Sequence, residues 1–138
     1  MFILILGASV KTGKEFEIYE CIASVCRLYG DKVLSPVDSL KFKGTLQARH
    51  DRAVSLIEKA DLIIAEDSGA STGLGYELGL ARGLGKDVIF VRHFQAKPSL
   101  SRGGFEGAST VEYSLATRDD LGRKITMVLE GRGLTKNS

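Results

Sequence analysis

Between Ala60 and Val91 the chain reads ADLIIAEDSGASTGLGYELGLARGLGKDVIFV, an order that few folds accommodate. Leu62, Ile63, Ile64 and Ala65 form a short apolar run, the mark of a strand buried on both faces. A loop of polar and small residues follows, Glu66 to Ser71. Gly73-Leu74-Gly75-Tyr76-Glu77-Leu78-Gly79 then turns into a helix expected over about 74–84, and Val88 to Val91 forms a second buried strand. The unit is therefore strand, loop, helix, strand, with a carboxylate expected in the first turn of its helix.

That placement has chemical content. The first turn of a helix offers unpaired backbone N–H groups and the positive end of the macrodipole, which together make a ready anion site. Gly73 and Gly75 let a ligand come close to the backbone. Glu77, held there, is expected to stay ionised, since the dipole favours its charge. An ionised carboxylate at the mouth of a cleft serves as nucleophile or general base. The pattern alone leaves a plainer alternative open, because acidic residues also suit helix starts without any chemistry.

The rest of the chain repeats the alternation. Phe2 to Leu6 reads as a first strand, Lys14 to Tyr29 as a helix, Val33-Leu34 as a short strand ended by Pro36, and Thr45 to Lys59 as a second helix. Residues 37–43 carry no clear signal. His93 to Gly107 is a long glycine-rich loop, a lid or a subunit contact. Thr110 to Tyr113 forms a fifth strand, Asp119 to Leu129 a last helix, and the tail from Glu130 is expected to fray. Alternating strands and helices argue one parallel sheet with helices on both faces, and ligands on such sheets bind beyond the carboxyl ends of the strands. The loops after the first, third and fourth strands should therefore share a site.

The 138 residues suit one domain, and 43% hydrophobic with 26% charged residues is ordinary for a globular chain. A net charge of +2 gives no reason to expect nucleic acid or a membrane surface as partner. The opening Met1–Leu6 is apolar but too short for a signal-peptide core and lacks a basic leader. Cys21 and Cys26 are five apart, a spacing that fits neither a CxxC redox motif nor a zinc site, so both read as buried thiols of a cytoplasmic protein.

Two nucleotide motifs fail. Five residues separate Gly7 from Gly13, and Glu15 follows Lys14 where a P-loop needs Ser or Thr. The Gly73 stretch has Leu78 where a dinucleotide fingerprint needs glycine. His50 and His93 have no Ser or Cys partner that the sequence places, and read as surface or loop residues.

The 60–89 stretch resembles the nucleoside 2-deoxyribosyltransferase-like superfamily, and within it the 2′-deoxynucleoside 5′-phosphate N-hydrolases. The apolar strand, acidic loop and Gly-x-Gly-Tyr-Glu-Leu-Gly helix start carry the likeness, with weaker echoes in Ala8-Ser9-Val10-Lys11-Thr12-Gly13 and in Pro98-Ser99-Leu100-Ser101. The resemblance implies a Rossmann-like or flavodoxin-like α/β fold, a five-stranded parallel sheet with residues 1–130 as one domain and 131–138 as a flexible tail. It implies Glu77 as the nucleophile that attacks the anomeric carbon of the sugar and expels the base, with no metal and no organic cofactor.

It further implies a substrate site of Ser9, Val10, Lys11, Gly13, Ser71, Gly73, Gly75 and Ser101. Ser71, six residues before Glu77, stands where the nucleoside transferases have an acid. A Ser donates to a phosphate that an Asp would repel, which tilts the expectation to a nucleoside 5′-monophosphate. Lys11 stands where the family has Arg, a point charge in place of a fork. Ser101 matches a Ser that such homodimers supply from the neighbouring subunit. One departure stands out. The family has an Asp eight residues before the Asp that opens the third strand, and here that position is Ala53. Asp51 is two residues away, about 200° around a helix. Glu66 and Asp67, at the end of the third strand, are alternative acids. Three functions follow: hydrolysis of a nucleotide N-glycosidic bond, base exchange between nucleosides, or nucleotide binding with the chemistry lost.

Overall fold

A computed structural model of the chain describes all residues except 9, 11, 70 and 115–117. Its elements are β1 (Phe2–Gly7), α1 (Gly13–Cys26), β2 (Lys32–Leu34), α2 (Pro36–Ser39), α3 (Leu46–Lys59), β3 (Leu62–Glu66), α4 (Thr72–Gly83), β4 (Val88–His93), β5 (Thr110–Tyr113) and α5 (Arg118–Gly131). A 3₁₀ turn at Leu100–Gly104 interrupts the long loop before β5.

The five strands form one parallel sheet in the order β2-β1-β3-β4-β5. This is the flavodoxin-like order, and the direction of winding reverses between β1 and β3. Ile3 lies opposite Leu62 and Ile64 opposite Ile89, so the inner strands match apolar to apolar across the sheet. Phe2–Leu6 of β1 and Leu62–Glu66 of β3 are buried throughout, as strands covered on both faces must be. Alternate residues divide the core in two. Ile3, Ile5, Ile64 and Ile89 pack under α1 and α5 with Ile18, Ile22, Leu121 and Ile125. Leu4, Leu6, Ile63 and Phe90 pack under α3 and α4 with Ile57, Leu74 and Leu78.

Three expectations change. Residues 37–43 begin with a short helix: Ser35 accepts from the Val37 N–H, the Asp38 carboxylate accepts from the Ser35 N–H, and Pro36 fills the first helical position. Pro36 therefore starts α2 rather than merely ending β2. Helix α4 begins at Thr72, because the Ser71 hydroxyl caps the Leu74 N–H. The tail does not fray: α5 runs to Gly131, Leu134 packs on the core, and Asn137 donates from its backbone to the Leu28 carbonyl and from its side chain to Arg27. The 93–107 loop is held down by Arg102, which reaches the carbonyls of Phe105 and Ala108 and lies over the Phe90 ring. No helix among the described residues is long and apolar enough to cross a membrane.

Candidate active site

A cleft of about 420 Å³ opens beside the carboxyl end of β1, on the α3/α4 face of the sheet. Leu6, Gly7 and Val10 form its floor. Pro36, Leu40 and Phe42 wall one side, Arg49, His50 and Ala53 of α3 another, and Gly73, Tyr76 and Glu77 of α4 the third. The position is where a sheet wound in this order binds ligands.

Glu77 faces this cleft, but not from the first turn. With Ser71 as cap and Thr72 as first residue, Glu77 is the sixth residue of α4, in its second turn. Macrodipole stabilisation falls off within the first turn. Burial dominates instead, and pushes the Glu77 carboxyl up to about 7. The sequence-based expectation of a fully ionised carboxylate is corrected accordingly: at neutral pH Glu77 is poised between its two forms. A carboxylate is nucleophilic only in its charged form, and the burial that raises the pKa of Glu77 also leaves that form poorly solvated.

The remaining expected residues fall into three groups. Gly73 and Val10 line the cleft with Glu77. Gly13 starts α1 behind an N-cap whose backbone N–H donates to Glu15 at 2.7 Å. Ser71 caps α4 at its N-terminal edge, so Gly13 and Ser71 put two helix N-termini at the carboxyl edge of the sheet. Ser9 and Lys11 lie outside the described residues.

Gly75 and Ser101 pair with each other, not with Glu77. A Cβ on Gly75 would sit 3.5 Å from Ser101 Oγ. Gly75 is two residues from Glu77, about 200° around α4, so Ser101 lies behind the helix as seen from its own cleft.

The two alternative acids are committed elsewhere. Asp67 is fully buried, pairs with Arg92 Nε at 3.1 Å and accepts from the Ser99 hydroxyl at 2.9 Å. Glu66 accepts from the Ser68 N–H and hydroxyl. It lines a smaller pocket of about 260 Å³ with Tyr19, His93 and Tyr113, and burial raises its carboxyl despite the Ser68 bonds. Neither residue lines the Glu77 cleft.

Helix α3 runs unbroken through residues 46–59, so the register that puts Ala53 on the cleft also keeps Asp51 off it. Sequence reasoning missed what α3 does contribute. Arg49, His50 and Arg52 all line the cleft. His50 Nε2 lies 3.0 Å from the Tyr76 hydroxyl, and its Nδ1 lies 3.2 Å from Asp51 Oδ1. Their signal was present as the i, i+3 spacing of His50 and Ala53, but only the packing of α3 on α4 tells which face of the helix matters.

Among the described residues no group of His, Cys, Asp or Glu could hold a metal ion.

Comparison with known proteins matches residues 6–137 to the nucleoside 2-deoxyribosyltransferase family. The 5-hydroxymethyl-dUMP N-hydrolase of Mus musculus is 32% identical over 111 residues, which cover 72% of this chain and 64% of that protein. The protein of the same name from Danio rerio is 35% identical over 97 residues, 64% of this chain and 68% of its own length. The solved structure of the Clostridium botulinum CMP N-glycosidase shares the fold, with a TM-score of 0.64 over 94% of this chain and 100% of its own, at 18% identity.

Proposed function

The chain belongs to the nucleoside 2-deoxyribosyltransferase family, and from that premise we propose that it hydrolyses the N-glycosidic bond of a 2′-deoxynucleoside 5′-monophosphate. The observation that carries this reading is Glu77 in the 420 Å³ cleft at the switch point of the sheet. In the first step a Glu77 carboxylate oxygen bonds to C1′ of the sugar as the C1′–N bond breaks, and the pair in that bond leaves with the base. In the second step water attacks C1′, losing a proton as the ester to Glu77 opens. The products are a free base and 2-deoxyribose 5-phosphate.

The 5′-phosphate sits at the carboxyl edge of the sheet, against the N-terminus of α4 with Ser71 and Gly73 and the N-terminus of α1 with Gly13. The resemblance implies Ser9 and Lys11 as further phosphate ligands, and both lie outside the described residues. Ser71, uncharged and able to donate, favours a phosphorylated substrate over a nucleoside. Ser101, on the far face of α4 from its own cleft, serves the site of a second copy in a homodimer. The reading places the protein in the cytoplasm, with no metal and no organic cofactor in the reaction.

The test is base release, followed by chromatography, from a panel of ribo- and deoxyribonucleoside 5′-monophosphates. Release that requires the 5′-phosphate and is abolished by Glu77→Gln supports the reading and names the base. Release from nucleosides only when an acceptor base is added would replace it with base exchange. Tight binding without release from any nucleotide would leave a binding protein.

A further inference from the structure

We propose that His50, oriented by Asp51, is the residue that protonates the departing base. This rests on the hydrolase reading above, and adds to it the proton that reading needs.

When a C1′–N bond breaks, the electron pair stays on the base, and a base that leaves without a proton is a poor leaving group. Glu77 is spent as the nucleophile. The other described polar side chains lining the cleft are Ser39, Arg49, His50, Arg52 and Tyr76. A guanidinium does not give up its proton, and serine and tyrosine hydroxyls are weak acids. Imidazole is the side chain built to exchange a proton near neutral pH. Asp67 and Glu66, the carboxyls next in line along the chain, are engaged away from the cleft.

The geometry around His50 is that of an oriented proton carrier. It precedes Ala53 by three residues, so the two share one face of α3. The Asp51 carboxylate at 3.2 Å from Nδ1 is a hydrogen-bond acceptor on the side away from the cleft, and favours a proton on that nitrogen in both ring forms. Nε2 is thereby turned to Tyr76, at 3.0 Å from its hydroxyl, and Tyr76 is the chain neighbour of Glu77. The His50 side chain is 48% exposed, so an entering base reaches Nε2 without displacing core atoms.

The steps balance. In glycosyl transfer the imidazolium Nε2–H bonds to an acceptor on the base, in place of the Tyr76 hydroxyl. The proton moves to the base as the C1′–N bond breaks and the Glu77 oxygen–C1′ bond forms. His50 is left neutral. In hydrolysis Nε2 takes a proton from the attacking water, the water oxygen bonds to C1′, and the ester electron pair returns to Glu77. Imidazolium and carboxylate are both restored.

The experiment compares wild type, His50→Ala, His50→Gln and Glu77→Gln on two substrates. One is the preferred 2′-deoxynucleoside 5′-monophosphate. The other is 4-nitrophenyl 2-deoxyribose 5-phosphate, whose phenolate leaves without a proton. Both His50 variants are expected to lower kcat on the nucleotide by about 10²–10⁴, the range of a lost general acid, and to change nitrophenol release by less than about threefold in the first turnover. Glu77→Gln should abolish both. Equal losses on both substrates would mean that His50 only shapes the cleft, and would overturn the proposal. So would an undiminished kcat on the nucleotide. If wild type cleaves neither substrate, the hydrolase reading itself falls and takes this role with it, a result distinct from either of the others.

Discussion

The ring of Tyr19 occupies the space a side chain would need at Gly7. A Cβ built on Gly7 would lie 2.1 Å from the Tyr19 hydroxyl oxygen and 2.7 Å from two ring carbons. Tyr19 is fully buried in α1 and its hydroxyl donates to the Ala8 carbonyl at 2.7 Å. The last residue of β1 and the first of the loop beyond it are thus clamped by one phenol, where the chain turns toward the cleft. Gly7→Ala is expected to destabilise by about 1–3 kcal/mol, the cost of overpacking a filled site. Tyr19→Phe removes the nearest clashing atom but also the bond to Ala8, worth about 1 kcal/mol. The double variant should therefore be more stable than the sum of the single losses. Urea unfolding of the four proteins measures this coupling, and strict additivity would refute the clamp.

Glu77 gives a pH dependence of fixed sign. Its folded-state pKa of about 7 lies above the unfolded value of 4.5. The fold therefore prefers the protonated carboxyl, and stability present below about pH 4.5 is lost as pH rises through 7. Glu77→Gln keeps the shape without the charge. It should match wild type in stability near pH 4 and exceed it at pH 8, by on the order of 1 kcal/mol for a partly solvated group. With Glu77 as the proposed nucleophile, the same ionisation should set activity in the opposite sense. The kcat/KM of wild type should rise with pH on a limb centred near 7, as the nucleophilic carboxylate forms. A limb centred near 4.5 would mean that burial does not hold the proton on.

Glu77 also marks where reading the sequence stopped being enough. Apolar runs located β1, β3 and β4, because a strand buried on both faces must be apolar along its length, as β1 and β3 are, whereas β5 alternates exposed Thr110 and Glu112 with buried Val111 and Tyr113. The sequence places helix α4 two residues late, since Thr72 and Gly73 read as the turn before it and Ser71 does not read as a cap. That shift moved Glu77 from second turn to first and inverted its expected electrostatics. Helix α2 is four residues long, too short for any periodicity, and only the Ser35-Pro36 start and Asp38 betray it. The expected cleft residues Glu77, Gly73 and Val10 were brought together because their motif sits at strand ends, which topology fixes. His50 was not, because its meaning comes from Tyr76 on another helix.

Asp67 makes a contrasting prediction, since it is structural where the sequence left it open as an acid. It joins Arg92 on β4 to Ser99 at the start of the 3₁₀ turn. Asp67→Ala strands a buried guanidinium and should cost about 3–5 kcal/mol. Amide exchange at Ser99 and Arg102 should quicken beyond what the global loss explains, because the Ser99 bonds to Asp67 go with the carboxylate. A loss below about 1 kcal/mol, with turnover abolished, would instead return Asp67 to the chemistry.

Ser71 allows its two duties to be separated by one substitution. As cap of α4 it accepts from the Leu74 N–H at 3.2 Å, and Ser71→Ala should cost about 0.5–2 kcal/mol. Aspartate caps helices as well as serine does. Ser71→Asp should therefore unfold at nearly the wild-type urea midpoint, while placing a negative charge at the N-terminal edge where the 5′-phosphate is proposed to bind. Two like charges about 4 Å apart repel by about 1–4 kcal/mol between bulk water and a protein surface, or roughly 5- to 1000-fold in binding. The KM for a nucleotide should rise within that range, and the KM for the matching unphosphorylated nucleoside should rise far less or fall. Equal changes for both substrates would show that the phosphate lies elsewhere, and that Ser71 does no more than start the helix.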